Sequence, residues 1–207
     1  MEPFVLANET VRLSVPTLAD VDDVWKACQD PQIEAWNTVP TPYARQDAVA
    51  FLEGVVAPGW SAERSFTWAV RAPGECDGPV LGMVGLDVED ATPGVRSAGL
   101  GFWMAPAARG HGLVTAACHL ALDWGFDPEG LELSRATWLA YVGNWPSRRV
   151  AWKLGFRVEG TIRGQGVQRG RRRDAWFGTL LPGDPREPNE AWPAEAPASA
   201  EAVLPRT

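Results

Sequence analysis

Apolar and polar residues alternate over Thr10–Pro16, as TVRLSVP, and predict a first strand. The period then lengthens. Leu18, Val21, Val24 and Trp25 recur at helical spacing through Leu18–Cys28, with Asp20, Asp22 and Asp23 near the start, where a helix dipole favours acids. Pro31, Pro40 and Pro42 predict a broken loop, after which Ala48, Val49, Leu52 and Val56 mark one side of a second helix over Arg45–Val56.

The middle of the chain predicts strands at Phe66–Arg71, Val80–Val88 and Val95–Met104, with turn residues between them. Gly99 and Gly101 fall inside the third of these, where glycine marks either tight sheet packing or close approach of a ligand. An apolar stripe through Leu113, Ala116, Ala117, Leu120 and Trp124 predicts a helix from Leu113 to Trp124. Then follow a strand at Leu131–Leu139, a short helix at Trp145–Leu154, and strands at Phe156–Arg163 and Asp174–Leu181. The order is mixed α/β. Residues 182–207 are rich in Pro, Ala and Glu without an apolar period. They are expected to be disordered or loosely packed, with Trp192 and Val203–Pro205 as the segments able to dock.

A chain of 207 residues can bury a core without disulfides or metals. Cys28, Cys76, Cys118, His111 and His119 lack metal-ligand spacing, so no metal is expected, and reduced thiols fit a cytoplasmic protein. No signal peptide is expected from the first residues, and no run of residues is apolar enough to span a bilayer. A net charge of −7 argues against a general nucleic-acid binder. Against that acidic background, Arg148, Arg149, Lys153, Arg157, Arg163, Arg169 and Arg171–Arg173 form a basic segment interrupted only by Glu159. It is either a solvated face or an anion site suited to a phosphorylated cofactor.

Two segments carry chemistry. In ARGHGLVTAA, Gly110 and Gly112 allow a tight turn, and the helix behind them offers unpaired amides to an anion. Arg109 and His111 sit on that turn. In NWPSRRVAWKLGFRVEG, Asn144 carries both a donor and an acceptor, and Ser147 a hydroxyl able to cap a helix or donate a proton. Read alone, the first is a helix-capping turn and the second an ordinary helix start.

Together, GFWMAPAARGHGLVTAA and NWPSRRVAWKLGF resemble the Gcn5-related N-acetyltransferase (GNAT) superfamily. The similarity is greatest to its branch of ribosomal-protein N-terminal alanine/serine acetyltransferases (RimJ/RimL-like). It runs from Thr10 to about Leu181 and implies an acyltransferase domain over residues 1–181. The implied fold is α/β: a twisted, mixed, mostly antiparallel sheet with splayed central strands and flanking helices. It also implies acetyl-CoA as acyl donor and an amine as acceptor, with a catalytically silent acyl-CoA-binding or regulatory module as the alternative.

On this resemblance the CoA contacts are Phe102, Trp103 and Met104 for the pantetheine arm. Arg109, Gly110, His111, Gly112, Leu113, Val114 and Thr115 surround the pyrophosphate, and Asn144, Ser147, Arg149 and Lys153 lie on the second segment. Val114 departs from the small residue expected there. The basic residues Arg171–Arg173 are expected near the CoA phosphates. Asn144, Ser147 and Asp87 are the catalytic candidates, Ser147 as proton donor to the departing thiolate. Many relatives place a glutamate where this chain has Gly99. The mechanism is therefore expected to rely mainly on positioning an amine that is already deprotonated, with water or a carboxylate of the Asp87–Asp90 segment accepting its proton. The acceptor mouth is expected from Asp30–Arg45 and the loop between Asp87 and Arg96, lined by Trp36, Trp60 and Trp68. The nearby acids Glu34, Asp87, Glu89 and Asp90 favour a cation. A homodimer is expected through Trp176 or Phe177.

Overall fold

Thr17 and Asp20 cap one another at the first helical turn. The Thr17 hydroxyl accepts from the Ala19 amide at 3.3 Å, and the Thr17 amide donates to the Asp20 carboxylate at 2.8 Å. Helix α1 (Val21–Ala27) follows and buries Val21, Val24 and Ala27. The expected proline-broken loop instead contains a second helix, α2 (Pro31–Trp36). Pro31 starts it, because a missing N–H costs nothing in the first turn, and the Asp30 carboxylate accepts from the Gln32 and Ile33 amides. Helix α3 (Arg45–Phe51) runs on through a π turn at Leu52–Val56 into α4 (Ala57–Ser61), past the expected end at Val56.

The protein, described as a computed structural model over residues 1–75 and 77–197, is built on one eight-stranded sheet. The strands are β1 (Leu6–Ala7), β2 (Arg12–Ser14), β3 (Ser65–Arg71), β4 (Gly82–Asp90), β5 (Ser97–Met104), β6 (Arg135–Tyr141), β7 (Arg157–Gln168) and β8 (Arg171–Leu180). Their order is β1-β2-β3-β4-β5-β6-β8-β7, and every neighbouring pair is antiparallel except β5–β6. That parallel step requires a crossover, supplied by helix α5 (Leu113–Phe126), which lies across β3, β4 and β5. Helix α6 (Trp145–Lys153) joins β6 to β7.

Alternation along β3 sorts the two faces. Phe66 and Trp68 point to the α5 side, where they pack with Trp60, Trp124 and Phe4 in an aromatic cluster. Arg71, of opposite parity, is buried on the other face in a paired contact with Asp20 at 2.8 Å. Trp60 and Trp68, expected at the acceptor mouth, are therefore core residues, 2% and 0% exposed.

Most of the segment between the expected strands Phe156–Arg163 and Asp174–Leu181 is itself strand, with only Arg169 and Gly170 in the turn. β7 and β8 pair from Arg157–Thr179 out to Gln168–Arg171, with irregularities at Val158/Gly160 and Ile162/Gly166. Trp176 is buried against Trp145, with Arg148 over its ring, so its side chain is occupied within the chain. Residues 182–197 form no helix or strand, yet they make named contacts. Trp192 packs on Trp145 and Trp152, the Trp152 indole donates to the Glu190 carbonyl at 2.7 Å, and Asn189 donates to the Gly155 carbonyl. Val203–Pro205 lies outside the described residues.

Candidate active site

The parallel pairing of β5 and β6 is short. It covers Ser97–Leu100 against Arg135–Trp138 and then stops. Beyond it β5 stays on β4 as far as Met104, and β6 stays on β8 as far as Tyr141. The two central strands thus diverge, leaving the edges of Gly101–Met104 and Leu139–Tyr141 without their sheet partner. A cleft of about 620 Å³ fills the divergence. Its walls include Gly101, Phe102, Trp103 and Met104 of β5, Leu139 and Ala140 of β6, and the starts of α5 and α6.

At one end of the cleft the chain turns through Gly110 (φ 82°) and Gly112 (φ 76°), left-handed conformations that a side chain would strain. Gly112 is the cap of α5, so the Leu113, Val114 and Thr115 amides precede the first intrahelical bonds and offer a partial positive charge. All three residues line the cleft. Val114 does so half-buried, and its β-branched side chain leaves the amide in place. His111 is exposed and does not line the cleft. His119, on α5, is half-buried, and burial pushes its imidazole below the ordinary value.

Elsewhere on the cleft wall, Asn144 caps α6 by accepting from the Ser147 amide at 3.2 Å, which leaves its NH₂ for other acceptors. The Ser147 hydroxyl oxygen accepts from the Trp138 indole N–H at 3.0 Å. With that lone pair engaged, the serine's own hydrogen is available to a third group. Arg149 and Lys153 line the same side, and the Arg149 guanidinium lies over Trp192 at 5.1 Å.

Arg109 lines the cleft, and its guanidinium is engaged by α2 and the end of β5. It donates to the Asp30 carboxylate at 2.7 Å, to Gln32 at 3.3 Å and to the Met104 carbonyl at 3.1 Å. It thereby ties α2 to the glycine turn. Burial raises the Asp30 carboxyl, but the Arg109 hydrogen bond and charge and the Ile33 and Gln32 amides outweigh burial, and the net shift is downward. The lowered pKa fixes the sign of the pH effect. The contribution is complete above the unfolded value of about 3.9 and is lost as pH falls through the lower folded value. Asp30→Asn, which keeps the helix cap, should lower Tm at pH 7, and the gap from wild type should close in acid. Thermal melts between pH 2 and 8 check this.

The cleft collects Phe102, Trp103, Met104, Arg109, Gly110, Gly112, Leu113, Val114, Thr115, Asn144, Ser147, Arg149 and Lys153 of the expected residues, and leaves out His111 and Asp87. Asp87 is exposed on β4, on the sheet face opposite α5, where it accepts from the Ser65 hydroxyl at 2.5 Å. Arg171–Arg173 do not line the cleft either. Arg173 donates to the Ala35 carbonyl at the end of α2 and lies over Trp36 and Tyr141, because the long β7–β8 hairpin carries it to α2. Gln32, Ile33, Trp36 and Asn37, all within the Asp30–Arg45 segment expected at the mouth, line the cleft. Sequence reasoning did not single out Gln32, Ile33 and Asn37 individually, though the Asp-Pro start of α2 was a signal for them. It missed Trp138, which nothing local marks.

Residues 10–157 match the family described as Acetyltransferase (GNAT) domain. The chain belongs to the GNAT family. Its fold is the GNAT acyl-CoA N-acyltransferase fold, and the family's general activity is acetyl-CoA-dependent transfer to amines. A Bacillus subtilis (strain 168) protein, provisionally named ribosomal N-acetyltransferase YdaF, is 33% identical over 126 residues, 61% of this chain and 67% of that one. Among solved structures, a GCN5-related N-acetyltransferase from Brucella melitensis is 25% identical with a TM-score of 0.73, covering 88% of this chain and 80% of the other. The self-immunity acetyltransferase MccE for microcin C7, in complex with acetyl-CoA and AMP, has a TM-score of 0.73 at 19% identity, covering 84% and 93%. RimJ of Mycobacterium smegmatis, in complex with CoA-disulfide, has a TM-score of 0.73 at 22% identity, covering 87% and 90%.

Proposed function

We propose that this GNAT chain transfers acetyl from acetyl-CoA to the primary amine of a peptide N-terminus or of a small amine-bearing metabolite. The observation that carries the reading is the divergence of β5 from β6 against the amide end of α5. The residues present suit a long, phosphorylated, amide-bearing thioester. Unpaired helix amides meet its pyrophosphate, a strand edge runs beside its pantetheine arm, and Arg149 and Lys153 add charge. The Asn144 NH₂ donates to a pantetheine carbonyl, and Ser147 delivers a proton to the departing sulfur. The resemblance to the RimJ/RimL-like branch and the similarity to YdaF favour a peptide α-amine.

Transfer is direct. Of the two cysteines among the described residues, burial pushes Cys28 up to about 11, partly offset by Tyr43, and burial alone raises Cys118 further. Neither lines the cleft, so neither thiol is a nucleophile that would carry the acetyl group.

Calorimetry with acetyl-CoA, followed by a turnover screen over Ser- and Ala-initiated peptides, amino sugars and small amines, tests the proposal. The expected result is binding and transfer to at least one amine class. Absence of binding by the folded protein overturns it. Binding without transfer to any amine supports the catalytically silent module instead.

A further inference from the structure

The β4–β5 ladder carries an irregularity near the end of β4. Asp87 pairs with Gly99 and Val88 with Ala98, but the next pair is Asp90 with Ser97, so Glu89 is the extra residue of a bulge. A bulge re-aims a side chain. Here the Glu89 side chain reaches back over β5 to β6, where its Oε1 accepts from the Thr137 hydroxyl at 2.8 Å. It crosses β5 at Gly99, the residue paired with Thr137. A Cβ at position 99 would meet Glu89 Oε1 at 3.2 Å and the Thr137 hydroxyl at 3.5 Å. The missing side chain at 99 is therefore the gap through which the carboxylate passes.

The contact adjoins the cleft without lining it, one residue pair before the central strands part. Gly99–Thr137 is followed by the last β5–β6 pair, Leu100–Trp138, and the strands then part into the cleft. Trp138 holds Ser147 on one face of the sheet, and Thr137, of opposite parity, holds Glu89 on the other. A hydroxyl and a carboxylate thus sit on opposite faces of the sheet beside the point where the strands diverge. The neighbouring acids are drawn elsewhere, Asp87 to Ser65 on β3 and Asp90 to the Thr92 amide in its own turn.

We infer that Glu89 is the general base of the acetyl transfer, the carboxylate that deprotonates the acceptor's ammonium group. This rests on the acetyltransferase reading. Glu89 takes one proton from the ammonium, directly or through one water, and becomes a neutral carboxyl, leaving a neutral amine. The amine lone pair forms the C–N bond to the acetyl carbonyl carbon as the C–S bond breaks. The second nitrogen proton ends on the sulfur by way of Ser147, and Glu89 returns its proton to water. Thr137 holds the carboxylate in place by donating to it.

The test uses the full chain with an accepted amine. Glu89→Gln, which keeps an acceptor for Thr137, is expected to lower kcat/KM for the amine roughly 100-fold at neutral pH. Acetyl-CoA affinity by calorimetry and Tm stay at wild-type values. The loss should shrink towards the amine's own pKa, where water deprotonates the acceptor. Glu89→Ala/Gly99→Glu, which returns a carboxylate from β5, should recover at least tenfold over Glu89→Ala. Wild-type kcat/KM in Glu89→Gln overturns the assignment, as does a loss uniform across pH or a loss confined to Asp87→Asn. A wild-type protein that acetylates no amine refutes the underlying transferase reading instead.

Discussion

Ser147→Ala is expected to lower turnover roughly 10- to 100-fold while leaving acetyl-CoA affinity nearly unchanged. The serine hydroxyl is held at 3.0 Å by an indole N–H that can only donate, so its own hydrogen is free to go to sulfur as the C–S bond breaks. An interaction made chiefly in that transition state appears in kcat and not in binding. The substitution has a second consequence that must be separated from the first. Trp138 is 1% exposed, and without Ser147 its indole N–H is left buried and unpaired, at a cost of about 1–3 kcal/mol. Trp138→Phe/Ser147→Ala removes that orphaned donor. The double variant should regain Tm without regaining turnover. Steady-state kinetics, calorimetry and thermal melts on the two variants check both parts, and unchanged turnover in Ser147→Ala would remove the serine from the mechanism.

The largest expected loss of stability comes from Trp68→Ala. Trp68 is fully buried among Phe4, Trp60, Phe66 and Trp124, with ring centroids 5.1 to 6.4 Å apart from it. Truncating a buried aromatic costs about 3–5 kcal/mol, a large share of the 5–15 kcal/mol that holds an ordinary domain together. Its indole N–H has no hydrogen-bond partner, so Trp68→Phe gives up ring volume without breaking a bond and should cost much less. Trp36→Ala makes the contrast. Trp36 is half-buried, lines the cleft and lies under the Arg173 guanidinium, so it should affect the KM of the acceptor more than the unfolding midpoint. Urea denaturation and acceptor kinetics on the three variants separate these effects. A normal midpoint with a raised acceptor KM in Trp68→Ala would return that residue to the acceptor mouth.

Much of this molecule was legible along the chain because its causes are local. Alternation at Phe66–Arg71 and the stripe from Leu113 to Trp124 report which face of an element is buried, and both elements formed nearly where the pattern put them. The glycine turn at Gly110–Gly112 and the Asn144 cap were readable for the same reason. A left-handed φ and a side-chain cap are properties of a few consecutive residues. Helix α2 was also encoded locally, in Asp30–Pro31, but a proline reads as a breaker unless the cap before it is weighed as well.

Other features were decided by tertiary structure, because they depend on partners far away in sequence. Nothing near Trp60 or Trp68 distinguishes a core tryptophan from a cleft tryptophan; strand parity and the arrival of α5 do. The basic run at Arg171–Arg173 reads as a phosphate site, yet it pairs as strand with Val167 and its neighbours, and the hairpin carries Arg173 to the end of α2. Arg109 reads as a cation for phosphate, but it meets Asp30, 79 residues away. The contact between Glu89 and Thr137 needs a bulge in one strand, a missing side chain in the next and a hydroxyl on the third. Each is an ordinary residue in its own segment, and only the sheet register brings them together.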